Sequence, residues 1–123
     1  MKYLSLLLTT LALIIAGAGC DGTSAPPPPL PVEQISAEFQ KTFGKSSAAA
    51  KDLSGQITAA VAAKKYPAAF ELIQMLLSLP DLTKEQQMIA SRAMLTMNSL
   101  LQTAQSQGDQ DAALTLKRYR SNR

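Results

Sequence analysis

Few residues in this 123-residue chain could carry chemistry, and their spacing decides which chemistries remain. The single thiol, Cys20, sits in IIAGAGCDGTSAPPPP, directly after an apolar run and shortly before a proline tract. There is no histidine, so no imidazole can act as base, acid or metal ligand. Asp109 and Asp111 are the closely spaced carboxylates, and directly after Gly108 they read as helix N-cap and first-turn charges rather than as an acid–base pair. The serines lack a neighbouring base, and there is no glycine-rich phosphate loop. A metal would have to be held by oxygen ligands alone, and no calcium-loop spacing occurs. The sequence therefore predicts no catalytic residue, no metal and no cofactor, and a protein that is not an enzyme.

Two further sets of side chains could meet a partner. Met94 and Met97 fall on nearly one helix face with Leu100 and Leu101. Such methionines either fill a core or line an adaptable groove. Lys117, Arg118 and Arg120, with Arg123, can touch anionic headgroups or complement the negative end of a helix. Twelve basic against nine acidic residues give a net charge of +3, far short of a nucleic-acid footprint. Neither nucleic acid nor a small-molecule substrate is expected.

The placement of Cys20 has its own logic. Lys2 supplies a positive start, Tyr3 to Ala16 is uncharged and largely apolar, and Gly17, Ala18 and Gly19 lead into Cys20. This order describes a secretory signal peptide over residues 1–19, and the run is too short to span a bilayer comfortably. Ala18, Gly19 and Cys20 resemble the lipobox of bacterial lipoproteins, with Gly17 where leucine is usual. That resemblance implies a thioether-linked diacylglycerol on Cys20, cleavage before it and acylation of its new amine. Two or three acyl chains, at about 0.8 kcal/mol per buried methylene, hold a small domain permanently. Asp21 resembles the inner-membrane retention signal of enterobacterial lipoproteins. The implied location is the cell envelope, with the domain outside the cytoplasm and a membrane contact through the N-terminal lipid. An ordinary cleaved signal and an uncleaved anchor are the alternatives.

Residues 21–31, DGTSAPPPPLP, hold five prolines and no apolar periodicity. With Cys20 they read as a polyproline II stalk making few core contacts. A ligand for a proline-recognising module is the other reading.

From residue 32 to 123 the pattern is helical. Val32, Ile35, Phe39 and Phe43 mark one face, ended at Gly44. Ser46 or Ser47 can cap a second helix with a stripe of Ala50, Leu53, Ile57, Ala60, Val61 and Lys64. Pro67 suits the first turn of a third helix carrying Phe70, Ile73, Leu76 and Leu77. Thr83 and Gln86 form a capping box for a long fourth helix, whose buried face would be Ile89, Ala93, Met97, Leu100, Leu101 and Ala104. Gly108 ends it, and a fifth helix runs through Ala113, Leu116 and Tyr119. The predicted fold is all-α, a small antiparallel bundle of about five helices.

KKYPAAFELIQMLLSLPDL resembles the second helix of a tetratricopeptide repeat, with Tyr66 at the turn, Ala69 at the small packing position and Ile73 at the large one. AQSQGDQDAALTL is similar to the same turn again. Ala69 and Ala113 are 44 residues apart, however, against a repeat period of about 34. The resemblance implies helical hairpins that present a surface to another protein. The expected function is a lipid-anchored interaction or scaffold module for an envelope protein, with Met94, Met97, Lys117, Arg118 and Arg120 as candidate contacts. An inhibitor or immunity-type lipoprotein and a purely structural lipoprotein are the other readings.

Overall fold

Five α-helices follow one another in a computed structural model that describes residues 27–123. A single 3-10 turn, Val32–Gln34, leads into α1 (Ile35–Phe43), α2 (Ala48–Ala62), α3 (Tyr66–Leu77), α4 (Lys84–Ser106) and α5 (Gln110–Ser121). No strand occurs among the described residues, and the chain is an all-helical bundle. The predicted signal peptide, Cys20, Asp21 and the first part of the proline tract lie outside the described residues.

Local signals start and stop each helix. Ser47 caps α2, its hydroxyl accepting from the Ala50 N–H at 3.4 Å. Pro67 occupies the first turn of α3, where its missing N–H costs no hydrogen bond. Thr83 and Gln86 form the reciprocal capping box of α4, at 3.1 and 3.0 Å. The Gln86 amide also donates to Ser46 Oγ at 2.8 Å, tying the start of α4 to the loop after α1. Gly44 ends α1 with an ordinary φ of −60°. Its glycine answers a close approach, since a Cβ would stand 2.6 Å from the Gln40 carbonyl oxygen.

The turns after α2 and α4 share one geometry. Lys65 N–H reaches Ala60 C=O and Lys64 N–H reaches Val61 C=O. Asp109 N–H and Gly108 N–H make the equivalent pair to Ala104 and Gln105. Both are Schellman closures with a left-handed residue, Gly108 at φ 92° and Lys64 at φ 58°. A lysine there costs roughly 1 kcal/mol. Lys64 therefore does not extend the α2 stripe, because the helix has already ended beneath it.

Helix α3 packs against α2, α4 and α5, while α1 lies against α2 and α4. Ala69, Phe70, Ile73 and Leu76 of α3 are wholly buried, as are Ile35 and Phe39 of α1, Ile57 of α2 and Met97 of α4. Tyr119 of α5 meets the Phe70 ring edge-on, with centroids 5.1 Å apart. On α5 the buried residue near the start is Ala112, and Ala113 is half-exposed. Leu116 and Tyr119 define a stripe that Ala112 continues, whereas Ala113 lies about 100° around the helix.

The folded domain also begins earlier than residue 32. Leu30 is 1 % exposed and belongs to the core. Its N–H donates to the Arg92 carbonyl at 3.2 Å, and its carbonyl accepts from the Thr96 hydroxyl. Arg92 Nε donates to the Pro28 carbonyl at 3.0 Å. Residues 28–30 are thus strapped along α4. Ordering this stretch costs little entropy, because prolines already restrict the unfolded chain. Burying one leucine is worth about 1.5–3 kcal/mol, so the strap is a net gain.

Two outcomes follow from this packing. Phe70→Ala removes a wholly buried ring and should cost about 3–5 kcal/mol, and Ala69→Leu should cost about 1–3 kcal/mol through overpacking, both read by chemical denaturation. Leu30→Ala should lower stability by about 2–5 kcal/mol, a fall in melting midpoint of roughly 10 °C or more. The same change at exposed Pro27 should stay within about 0.5 kcal/mol. A melting midpoint unaffected by Leu30→Ala would show that the strap is not part of the core.

Candidate functional site

Of the two α4 methionines that could fill a core or line a groove, one goes fully to the core. Met97 is wholly buried and Met94 partly so, packed against the core beside Leu100 and Leu101. Helices α1, α3 and α5 all pack on α4, and Met97, wholly buried, has no surface to offer a partner. The exposed large apolar side chains are Met75, Met88, Leu95 and Leu114 instead. Helical spacing could have separated these. Met88 and Leu95 lie two turns apart on the side of α4 opposite its Ala93 and Met97 seam.

The basic residues of α5 have different employments. Arg118 pairs with Glu71 of α3 at 2.9 Å, both side chains more than half exposed. An ion pair so open to water contributes little stability, but it links α3 to α5 near the Phe70–Tyr119 contact. Arg123 sits over the Tyr119 ring at 5.4 Å. Lys117 and Arg120 are exposed. Arg118 and Arg120 stand in the last turn of α5, where they complement the negative end of the helix.

Asp109 is the N-cap of α5, its Oδ1 accepting from the Ala112 N–H at 3.1 Å, and Asp111 follows in the first turn. Both line an open cleft of about 600 Å³ between the starts of α3 and α5. Lys64, Lys65, Glu71, Leu114 and Arg118 line it as well. Its walls carry charges of both signs beside the exposed Leu114. Among the described residues, no group of three or more histidine, cysteine, aspartate or glutamate side chains could hold a metal ion. No described helix is long and apolar enough to cross a membrane.

Sequence reasoning missed the strap and the face of α4 beside it. Pro28 and Leu30 are held by Arg92 and Thr96, one turn apart on α4. Met88, Arg92, Leu95 and Ser99 follow each other along the outward side of that helix. The available signal was Leu30 itself, a lone apolar residue inside a proline tract and just ahead of a helix start. Cys20 lies outside the described residues, and nothing in the geometry bears on its modification. No family model, curated protein or solved structure matches the chain.

Proposed function

We propose that this is a lipid-anchored protein of the bacterial cell envelope whose helical domain serves as a protein–protein interaction or scaffold module. One observation carries the reading: the order of a charged start, an apolar run, Ala18, Gly19 and Cys20 at the head of a chain whose next folded residues are only a few positions away. Acylation at Cys20 would supply the membrane hold, and the bundle would supply the surface. The cleft between α3 and α5, with Leu114 among Lys64, Lys65, Asp111 and Arg118, is the contact surface this reading favours. It sets apolar Pro67, Ala68 and Leu114 among charged side chains, a mixture that reversible interfaces share.

The tetratricopeptide-like character of Leu53 to Pro80 forms part of the proposal. Its support is the tight turn at Lys64 and the burial of Ala69 and Ile73 between antiparallel helices. The second hairpin, with Ala112 rather than Ala113 buried, departs from a regular repeat. Helix α1 lies against both α2 and α4 and occupies part of the surface an open solenoid would leave free.

The test is made on the full chain expressed in bacteria. Replacing Cys20 by Ser should leave unprocessed precursor and abolish incorporation of labelled fatty acid. A mature wild-type protein with an unmodified N-terminus that partitions into the aqueous phase would contradict the anchor. A pull-down from solubilised membranes then asks what the domain binds. Loss of a stoichiometric partner on reversing charge at Lys64 and Lys65 would place the contact at the cleft.

A further inference from the structure

The strap limits how far the domain can stand from whatever holds Cys20. Residues 21–26 are the whole chain between Cys20 and Pro27, and even fully extended they reach at most about 25 Å. From Pro28 onward the chain is bound to α4 through Arg92 and Thr96. The tether therefore meets the domain at one defined place, on the outward side of α4.

That side has an unusual composition. The one carboxylate of α4 is Glu85, in its first turn, and from Gln86 to Gly108 the chain has none, with Arg92 the single charge. Met88 is 54 % exposed and Leu95 40 %, so two of the four large exposed apolar side chains among the described residues flank Arg92 here. Pro27, Pro28 and Pro29 are exposed too, with the Pro28 carbonyl on Arg92. The Arg92 guanidinium gives its Nε–H to Pro28, and among the described residues its terminal N–H groups meet no acceptor. An apolar patch around one arginine, with the helix's single carboxylate confined to its first turn, matches the headgroup layer of an anionic bilayer.

We infer that the outward face of α4 around Arg92 is a lipid-contact surface, with Met88 and Leu95 entering the headgroup region and Arg92 meeting phosphate. The inference rests on the proposed lipid anchor at Cys20, because that anchor places the bilayer within reach of this face. A tether this short raises the local concentration of the surface into the millimolar range or above. A patch too small to bind membranes alone is then held against them. The α3–α5 cleft remains open to a protein partner in this arrangement.

The experiment uses the full lipidated chain in vesicles of phosphatidylglycerol and phosphatidylethanolamine. With Cys20 blocked by its thioether, Ser99→Cys and Gln56→Cys each introduce one thiol for a fluorophore, and nitroxide-bearing lipids report proximity. The Ser99 probe on α4 should be quenched and the Gln56 probe on α2 should not. Met88→Gln with Leu95→Gln should lower the contact equilibrium about tenfold or more, the loss expected of two half-exposed apolar side chains, while the melting midpoint stays unchanged. A lipidated protein whose Ser99 probe is unquenched, or crosslinks to a second copy or an envelope protein, would overturn the lipid contact and leave the anchor standing. An unmodified Cys20 in the mature protein would overturn both.

Discussion

Helix α3 gives Ala69, Phe70, Ile73 and Leu76 wholly to the interior, and it does so against three neighbouring helices at once. The other elements depend on that shared seam. Helices of nine to fifteen residues, such as α1 and α2, are marginal alone in water. Each becomes stable by burying one face on another, and α3 is where most of those faces converge. Ala69 lets the adjoining helices approach closely, and Phe70 fills the space behind it up to Tyr119 of α5. Helix α1, remote from α5, is held by Phe39 and Phe43 and by the tie from Gln86 to Ser46.

Much of this architecture could be read from local signals. Thr83 and Gln86, Pro67, Ser47 and Gly108 announce their helix ends because a cap is chemistry among residues three or four apart. Phe70, Ile73 and Ile57 announce themselves by period. What escaped is what depends on distant partners. Leu30 looks like part of a spacer until α4 offers it the Arg92 carbonyl and the Thr96 hydroxyl, some sixty residues away. Lys64 reads as one more position on a helical stripe, since nothing local marks a lysine for the left-handed conformation. Met94 and Met97 are only three apart, and which of them faces solvent depends on how closely α3 and α5 approach.

The same long-range contacts reshape the functional picture. With Met97 in the core, binding surface must be sought among side chains left outside, and these fall into two settings. One is the mixed-charge cleft at the starts of α3 and α5, the proposed contact for a protein partner. The other is the outward face of α4 around Arg92, where the strap arrives. A proline tract that ended freely at Val32 would let the domain swivel at the end of a long stalk. Fixed at Leu30, the tract would instead shorten the tether that a lipid on Cys20 provides and assign it a side.

Everything said about the tether depends on the strap being closed in solution, and one amide reports it. Leu30 carries the only backbone N–H between Ala25 and Val32, because its neighbours there are prolines, and that N–H is given to Arg92. Native-state hydrogen exchange should find the Leu30 amide as protected as those of Ala93 and Met97 in the core of α4, opening only with global unfolding. Exchange at Leu30 near the rate of an unstructured chain, with α4 still protected, would contradict the account.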